Sequence, residues 1–309
     1  MVLALTEKLG SLFLIMMVGF VITKTGLLKP ADSKTISKVV IFVLLPCSVI
    51  RAFNIRWDAT MRDRLLVCLA GALLLNVVMI LFSRILGKVF HLNAAEEGSV
   101  GYSNAGNIVI PLVTAMFGPE MVIYTSPFIA VQLFFLWSHG NYLISGEKKI
   151  HFKKMLLNVN LIAVYIGCLL LVTGVQLPAM VRDTMDSLGT MVGPASMLAT
   201  GMLMGDSRIW KFLHRPGLYK AVAFRLIVVP AVCLGCLKAM TWVLPEGDWK
   251  AVLMIVFLAC MTPPANTITQ MAQIYDREPE YCGLISVMTM ILCIGTMPLM
   301  VWVFERVIG

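Results

Sequence analysis

Two short stretches of this chain concentrate the residues that could do chemistry. The first reads GSVGYSNAGNIVIP and sets Asn104, Asn107 and Pro111 among Gly98, Gly101 and Gly106. The second reads CMTPPANTITQ and brings together Thr262, Pro263, Pro264, Asn266 and Thr267. Both lie inside apolar runs. Proline removes a backbone donor and clashes with the preceding turn, while glycine and asparagine accept non-helical backbone. Each stretch therefore reads as the interruption of a membrane helix. In lipid such backbone persists only where protein buries it or a wet cavity satisfies it. An interruption exposes N–H groups and about +0.5 of a charge at the start of the following half-helix. Beside neutral amides and hydroxyls, that field suits a small anion such as a carboxylate and offers little to a cation. The competing reading of the three asparagines is ordinary interhelical hydrogen bonding. Their clustering with glycine and proline in both halves of the chain favours binding.

Other polar residues are sparse in the apolar runs. Gln132, in VQLFFLW, is placed to line a cavity, whereas His139 reads as an interfacial hydrogen-bonding residue. Arg225, in AVAFRLIVVP, lies five residues past Lys220. That is about 7 Å along a helix, so Arg225 is expected to snorkel to the membrane surface. All 17 Asp and Glu fall in connectors or at segment ends, which disfavours coupling through a buried carboxylate. Cys233-x-x-Cys236 has no second ligand pair and reads as packing. Neither a metal nor a cofactor is expected. No H-E-x-x-H, G-x-S-x-G or aspartyl pair occurs, so an enzyme is not expected either.

The elements that must position these residues follow from composition. The chain is 59% hydrophobic and 14% charged, with mean hydropathy +0.87, against about 25% charged in soluble domains. The fold class is all-α and polytopic in the membrane. Ten segments are long enough to span, near 5–26, 36–53, 64–88, 94–118, 120–143, 155–176, 180–205, 216–242, 250–275 and 280–304. The first is expected to be retained, since no basic n-region or cleavage site precedes it.

Gly19, Gly26, Pro30 and Pro46 are spaced 7, 4 and 16 residues, as are Gly167, Gly174, Pro178 and Pro194. Thr25 matches Thr173. This repeat divides the chain into five-helix units at 1–148 and 149–309. Five is odd, so the second unit starts from the opposite side. Connectors after the odd-numbered spans carry 15 Lys/Arg against 9 in the other connectors and the termini, with Arg225, inside a span, left out of both sums, and the richer set should be cytoplasmic. Both termini are then outside. The net charge of +8 is inside-positive bias, and nucleic acid is not an expected partner. Interrupted helices in corresponding positions of two inverted repeats are the sequence mark of a secondary transporter.

Four segments in this order carry a family resemblance: VVIFVLLPCSVIRAF, SNAGNIVIPLVTAMFGPE, MLATGMLMGD and TPPANTITQMAQIYDREPE. With them the chain resembles the auxin efflux carrier family, which holds plant PIN-type carriers and bacterial malonate or malate permease-like members. The resemblance implies that spans 4 and 9 cross at their breaks. It implies a scaffold of spans 1, 2, 6 and 7 and a transporting bundle of spans 3–5 and 8–10. Elevator-like alternating access follows from the same likeness. The family's site residues fall on Asn104 or Asn107, Pro111, Pro263, Gln132 and Pro46, although Pro46 read alone is a kink. The helix-3 carboxylate of plant carriers has no counterpart, since Asn76 and Arg84 are the strongly polar residues there.

The expected function is a secondary transporter of a small organic anion in the cytoplasmic (inner) membrane of a bacterium. Its partners are that anion and membrane lipid, with self-association as a homodimer left open. The alternatives are a sodium-coupled symporter of the bile-acid type and a non-transporting membrane sensor with the same fold.

Overall fold

The computed structural model describes residues 2–53, 59–146, 156–244, 247 and 249–308. Arg56 and the central basic connector at 148–154 lie outside them. Among the described residues the chain is helical, and its β structure is one isolated antiparallel bridge between Ser103 and Pro264. Among the described residues, five helices are long and apolar enough to cross a membrane. They are α2 (Pro30–Phe53), α3 (Ala59–Phe90), α6 (Glu120–Ser145), α10 (Pro216–Thr241) and α13 (Pro279–Val307). Shorter apolar helices occur in α1 (Val2–Lys24), α7 (Val159–Thr173) and α11 (Lys250–Cys260).

The ten expected spans are not ten continuous helices. The fourth is divided into α4 (Ala94–Gly101) and α5 (Ala105–Phe117), because Tyr102 is extended at φ −123°, ψ 131°. The ninth is divided into α11 and α12 (Asn266–Ile274), with Ala265 extended at φ −60°, ψ 123°. The seventh is also divided, into α8 (Ala179–Thr190) and α9 (Val192–Met204). Pro194 falls in the first turn of α9, where a missing N–H costs nothing.

Pro46 shows how a proline inside a helix is tolerated here. α2 passes through a π-turn at Val40–Leu44, and a π-helical bond from Ile41 would need an N–H at residue 46, which proline lacks. Asn160 on α7 donates its Nδ2 to the Ile41 carbonyl at 3.2 Å instead. A neighbouring helix thereby satisfies the freed acceptor.

The glycine repeat also acquires a physical meaning. Gly26 and Gly174 take φ of +79° and +69° where α1 and α7 end, a conformation that glycine adopts without steric cost. A Cβ on Gly19 would stand 2.3 Å from the Leu198 carbonyl oxygen, and one on Gly167 would stand 2.6 Å from the Phe53 ring. Each copy thus encodes one left-handed turn and one close helix contact.

Packing sorts the helices into two groups. α1 lies along α9, and the last turns of α2 pack on α7 and α8. In the other group α3 packs on α4, α6, α10 and α11, and α13 packs on α12. Large apolar side chains such as Leu14, Leu81, Leu169 and Leu299 are exposed on the outer faces, as a hydrocarbon surround requires.

Candidate functional site

The two breaks meet backbone to backbone. Asn104 N donates to the Pro263 carbonyl at 2.8 Å, and Ala265 N donates to the Tyr102 carbonyl at 3.0 Å. This pair of bonds is the antiparallel bridge, and it satisfies four groups that interruption would otherwise strand in an apolar interior. α6 braces the first break from the side. Gln132 donates its Nε2 to the Ser103 carbonyl at 2.5 Å, and its Oε1 accepts from the Ser103 hydroxyl. Tyr102 donates its hydroxyl to the Phe135 carbonyl at 3.0 Å and meets His139 Nδ1 at 2.8 Å.

One side of the crossing carries helix C-terminal ends. There Arg225 is fully buried, which overturns the expectation that it snorkels. Its Nη1 donates to the Val100 carbonyl at 3.0 Å, at the end of α4. Its Nη2 donates to the Cys260 and Thr262 carbonyls, each at 2.7 Å, and its Nε reaches Thr262 O at 2.9 Å. A guanidinium offers five donors in a fixed fork and needs no solvent when carbonyls occupy them. Those carbonyls are what make burial tolerable.

Beside the helix starts lies a cavity of ≈ 50 Å³, room for roughly three to five water-sized groups. Ser103, Asn104, Gly106, Ala265 and Thr267 contribute from the breaks, and Gln132 from α6. Facing them are Ser48 and Val49 of α2 and Val192 and Ser196 of α9. The residue before each helix and its second residue, Asn104 and Gly106 for α5 and Ala265 and Thr267 for α12, therefore border the cavity.

The site residues expected from sequence divide between the cavity and its supports. Asn104, Gln132 and Thr267 line the cavity. Asn266 does not line it; as the first residue of α12 it turns toward α9, where its Nδ2 lies 3.8 Å from Met197 Sδ. Thr262 is fully buried on the Arg225 side, and Pro263 serves through its carbonyl. Pro46 is buried within α2 and lies outside the cavity wall, to which its neighbours Leu45, Ser48 and Val49 contribute. The side chains of Asn107 and Pro111 lie outside the described ones, while their backbone belongs to α5. Sequence reasoning missed Ser103 and Ser196 as lining residues. Ser103 sits between the break residues Tyr102 and Asn104, which was its available signal; Ser196 has none.

Glu96 begins α4, at a segment end as read, yet it is only 5% exposed. Asn93 Oδ1 accepts from Glu96 N and Glu96 Oε2 accepts from Asn93 N, both at 2.9 Å, a reciprocal capping box. Its other oxygen accepts from the Tyr281 hydroxyl at 2.5 Å.

A polar stripe on α12 joins the two packing groups. Gln270 Nε2 donates to Ser196 Oγ at 2.9 Å. Gln273 Nε2 donates to Ser33 Oγ at 2.7 Å, and its Oε1 accepts from the Ser37 hydroxyl. Just past the helix, Lys34 Nζ pairs with Asp276 Oδ1 at 2.8 Å. Residues 266, 270 and 273 share one helical face by their 4 and 3 spacing.

A sequence model of a family described as "membrane transport protein" matches residues 4–151 and matches again over residues 147–301. No curated protein matches the chain.

Proposed function

The chain belongs to the membrane transport protein family, that of the auxin efflux carriers and PIN-like proteins, and on that premise we propose that it carries a small carboxylate across the cytoplasmic (inner) membrane of a bacterium. The observation that carries this reading is the cavity at the paired breaks, bordered by two helix starts and by Asn104, Gln132 and Thr267. Two partial positive charges and neutral hydrogen-bonding groups favour an oxyanion over a cation. The volume suits an acid of a few heavy atoms.

In this reading the units 1–148 and 149–309 are inverted copies, giving ten crossings with both termini outside. α1, α2 and α7–α9 are the scaffold, and the remaining helices move against it. The cavity lies between the two groups, so a sliding motion can expose it first to one side and then to the other. The α12 stripe is the contact that closes one route, as the elevator form of alternating access requires.

The test begins with purified protein screened by thermal shift against mono- and dicarboxylates. A ligand at 100 times its Kd adds about 2.7 kcal/mol of stability. Uptake of the best ligand into proteoliposomes, with and without sodium, follows. Flux in the absence of sodium supports a carrier over a sodium-coupled symporter. Binding without flux in either condition favours the sensor alternative and ends the carrier reading.

A further inference from the structure

We propose that Arg225 is a positioning residue that makes the crossing selective for a single carboxylate, without touching the substrate. The inference rests on the carrier reading above and deepens it. Four helix ends converge on the bridge formed by residues 102–104 and 263–265. α5 and α12 start there, each with about +0.5 of a charge, and α4 and α11 end there, each with about −0.5. Left alone, the two pairs oppose one another, and an anion in the cavity gains little from their sum. The guanidinium changes that balance. It is bonded to the carbonyls of Val100, Cys260 and Thr262, the last two from the end of α11 and the break beyond it.

One positive charge offsets two C-terminal ends, leaving about one unit of positive field at the two starts that border the cavity. That residue of charge matches one carboxylate and is insufficient for two. Among the described residues no carboxylate pairs with Arg225; its further contact is Met79 Sδ at 3.8 Å from Nη1. Its charge is therefore spent on the backbone of the crossing. Arg225 is fully buried and does not line the cavity, so it acts through the carbonyls it holds.

A residue that merely satisfied those carbonyls would affect neutral and charged ligands alike. A residue that sets the field changes their ratio. The experiment compares Met79→Glu with Met79→Gln, two side chains of similar shape that differ in charge. The carboxylate of Met79→Glu would lie against the guanidinium and cancel it without removing its bonds. Dissociation constants are measured in nanodiscs for acetate, propionate and butyrate and for their three amides. Wild type and Met79→Gln are expected to bind at least one acid ten or more times tighter than its amide. In Met79→Glu the preference should fall to within about twofold of unity, with amide binding unchanged.

Arg225→Lys is a second, independent variant. It keeps the charge but loses the fork, so both ligands should weaken by the same factor while their ratio survives. A preference retained in Met79→Glu, or lost in Arg225→Lys, overturns the inference and leaves the carrier reading standing. Wild-type protein that binds none of the three acids overturns the carboxylate reading, and the inference with it.

Discussion

Substitution of Gln273 tests whether the α12 stripe holds one conformation closed. Gln273 is 3% exposed and makes two side-chain hydrogen bonds across the gap, to Ser33 and Ser37 of α2. Met has nearly the same length and no hydrogen-bonding amide, so Gln273→Met removes both bonds while filling the space. A typical intramolecular hydrogen bond contributes about 0.5–1.5 kcal/mol net, so two amount to about 1–3 kcal/mol. If these bonds exist only in the docked state, the docked-to-undocked ratio should fall roughly 5- to 150-fold. The neighbouring Lys34–Asp276 pair should matter less, because its side chains are 35% and 79% exposed and exposed ion pairs contribute about 0–1 kcal/mol. The reporter is a cysteine at Leu203, buried beside Gln273 and Asp276 in the same cleft, in a background lacking the native cysteines. Its rate of modification by a charged maleimide follows the undocked population. Gln273→Met should raise that rate several-fold or more, and Lys34→Ala by less than about fivefold. An unchanged rate in Gln273→Met, with the protein folded, would refute the latch, and a larger effect of Lys34→Ala would refute the ranking.

Three further outcomes follow from the site and its supports. Asn104→Ala should weaken carboxylate binding by about ten- to a hundredfold, the value of a hydrogen bond to a charged oxygen, while Asn266→Ala, outside the cavity, should change it by less; titration of both variants checks the contrast. Asn160→Leu should leave the Ile41 carbonyl without its donor and cost about 1–3 kcal/mol, read as a lower melting temperature with substrate affinity unchanged. Cysteines near either terminus or near Arg182 should react with impermeant reagents from outside, and cysteines at 208–215 should not; reaction of the latter would reverse the proposed orientation.

The helix breaks were legible because glycine, proline and asparagine cannot crowd a lipid-buried helix without consequence. The repeat was legible because Gly26 and Gly174 mark a backbone conformation rather than a contact. Gln132 was found from its depth in an apolar helix. Arg225 was misread for a definite reason. Its partners are carbonyls at 100, 260 and 262, and a backbone acceptor leaves no trace in residue type. Distance along its own helix suggested escape to the surface, whereas distance across the fold offered a closer solution. Asn266 was misplaced by a single step of helical rotation, since Thr267 faces the cavity and Asn266 faces Met197. A side chain at the first position of a half-helix has a direction set by the break itself, and break geometry is not written in periodicity. The burial of Glu96 was equally hidden, because a segment end counts as exposed until another helix brings Tyr281 over it.

The bridge between Ser103 and Pro264 also bears on ancestry. Each break supplies one donor and one acceptor to the other, Asn104 N to Pro263 O and Ala265 N to Tyr102 O. A lone half-chain would carry one such strand with nothing opposite it, its donor and acceptor left without these partners. If the two units are inverted copies, as proposed, an unfused progenitor would have had to meet a second copy running the other way. That demands a polypeptide inserting in both orientations, with few lysines and arginines to prefer either. Fusion would then free two such copies to diverge in loop charge and fix their opposed senses. It would also bind their breaks together, because a substitution that moves Tyr102 or Asn104 must be answered by Pro263 and Ala265.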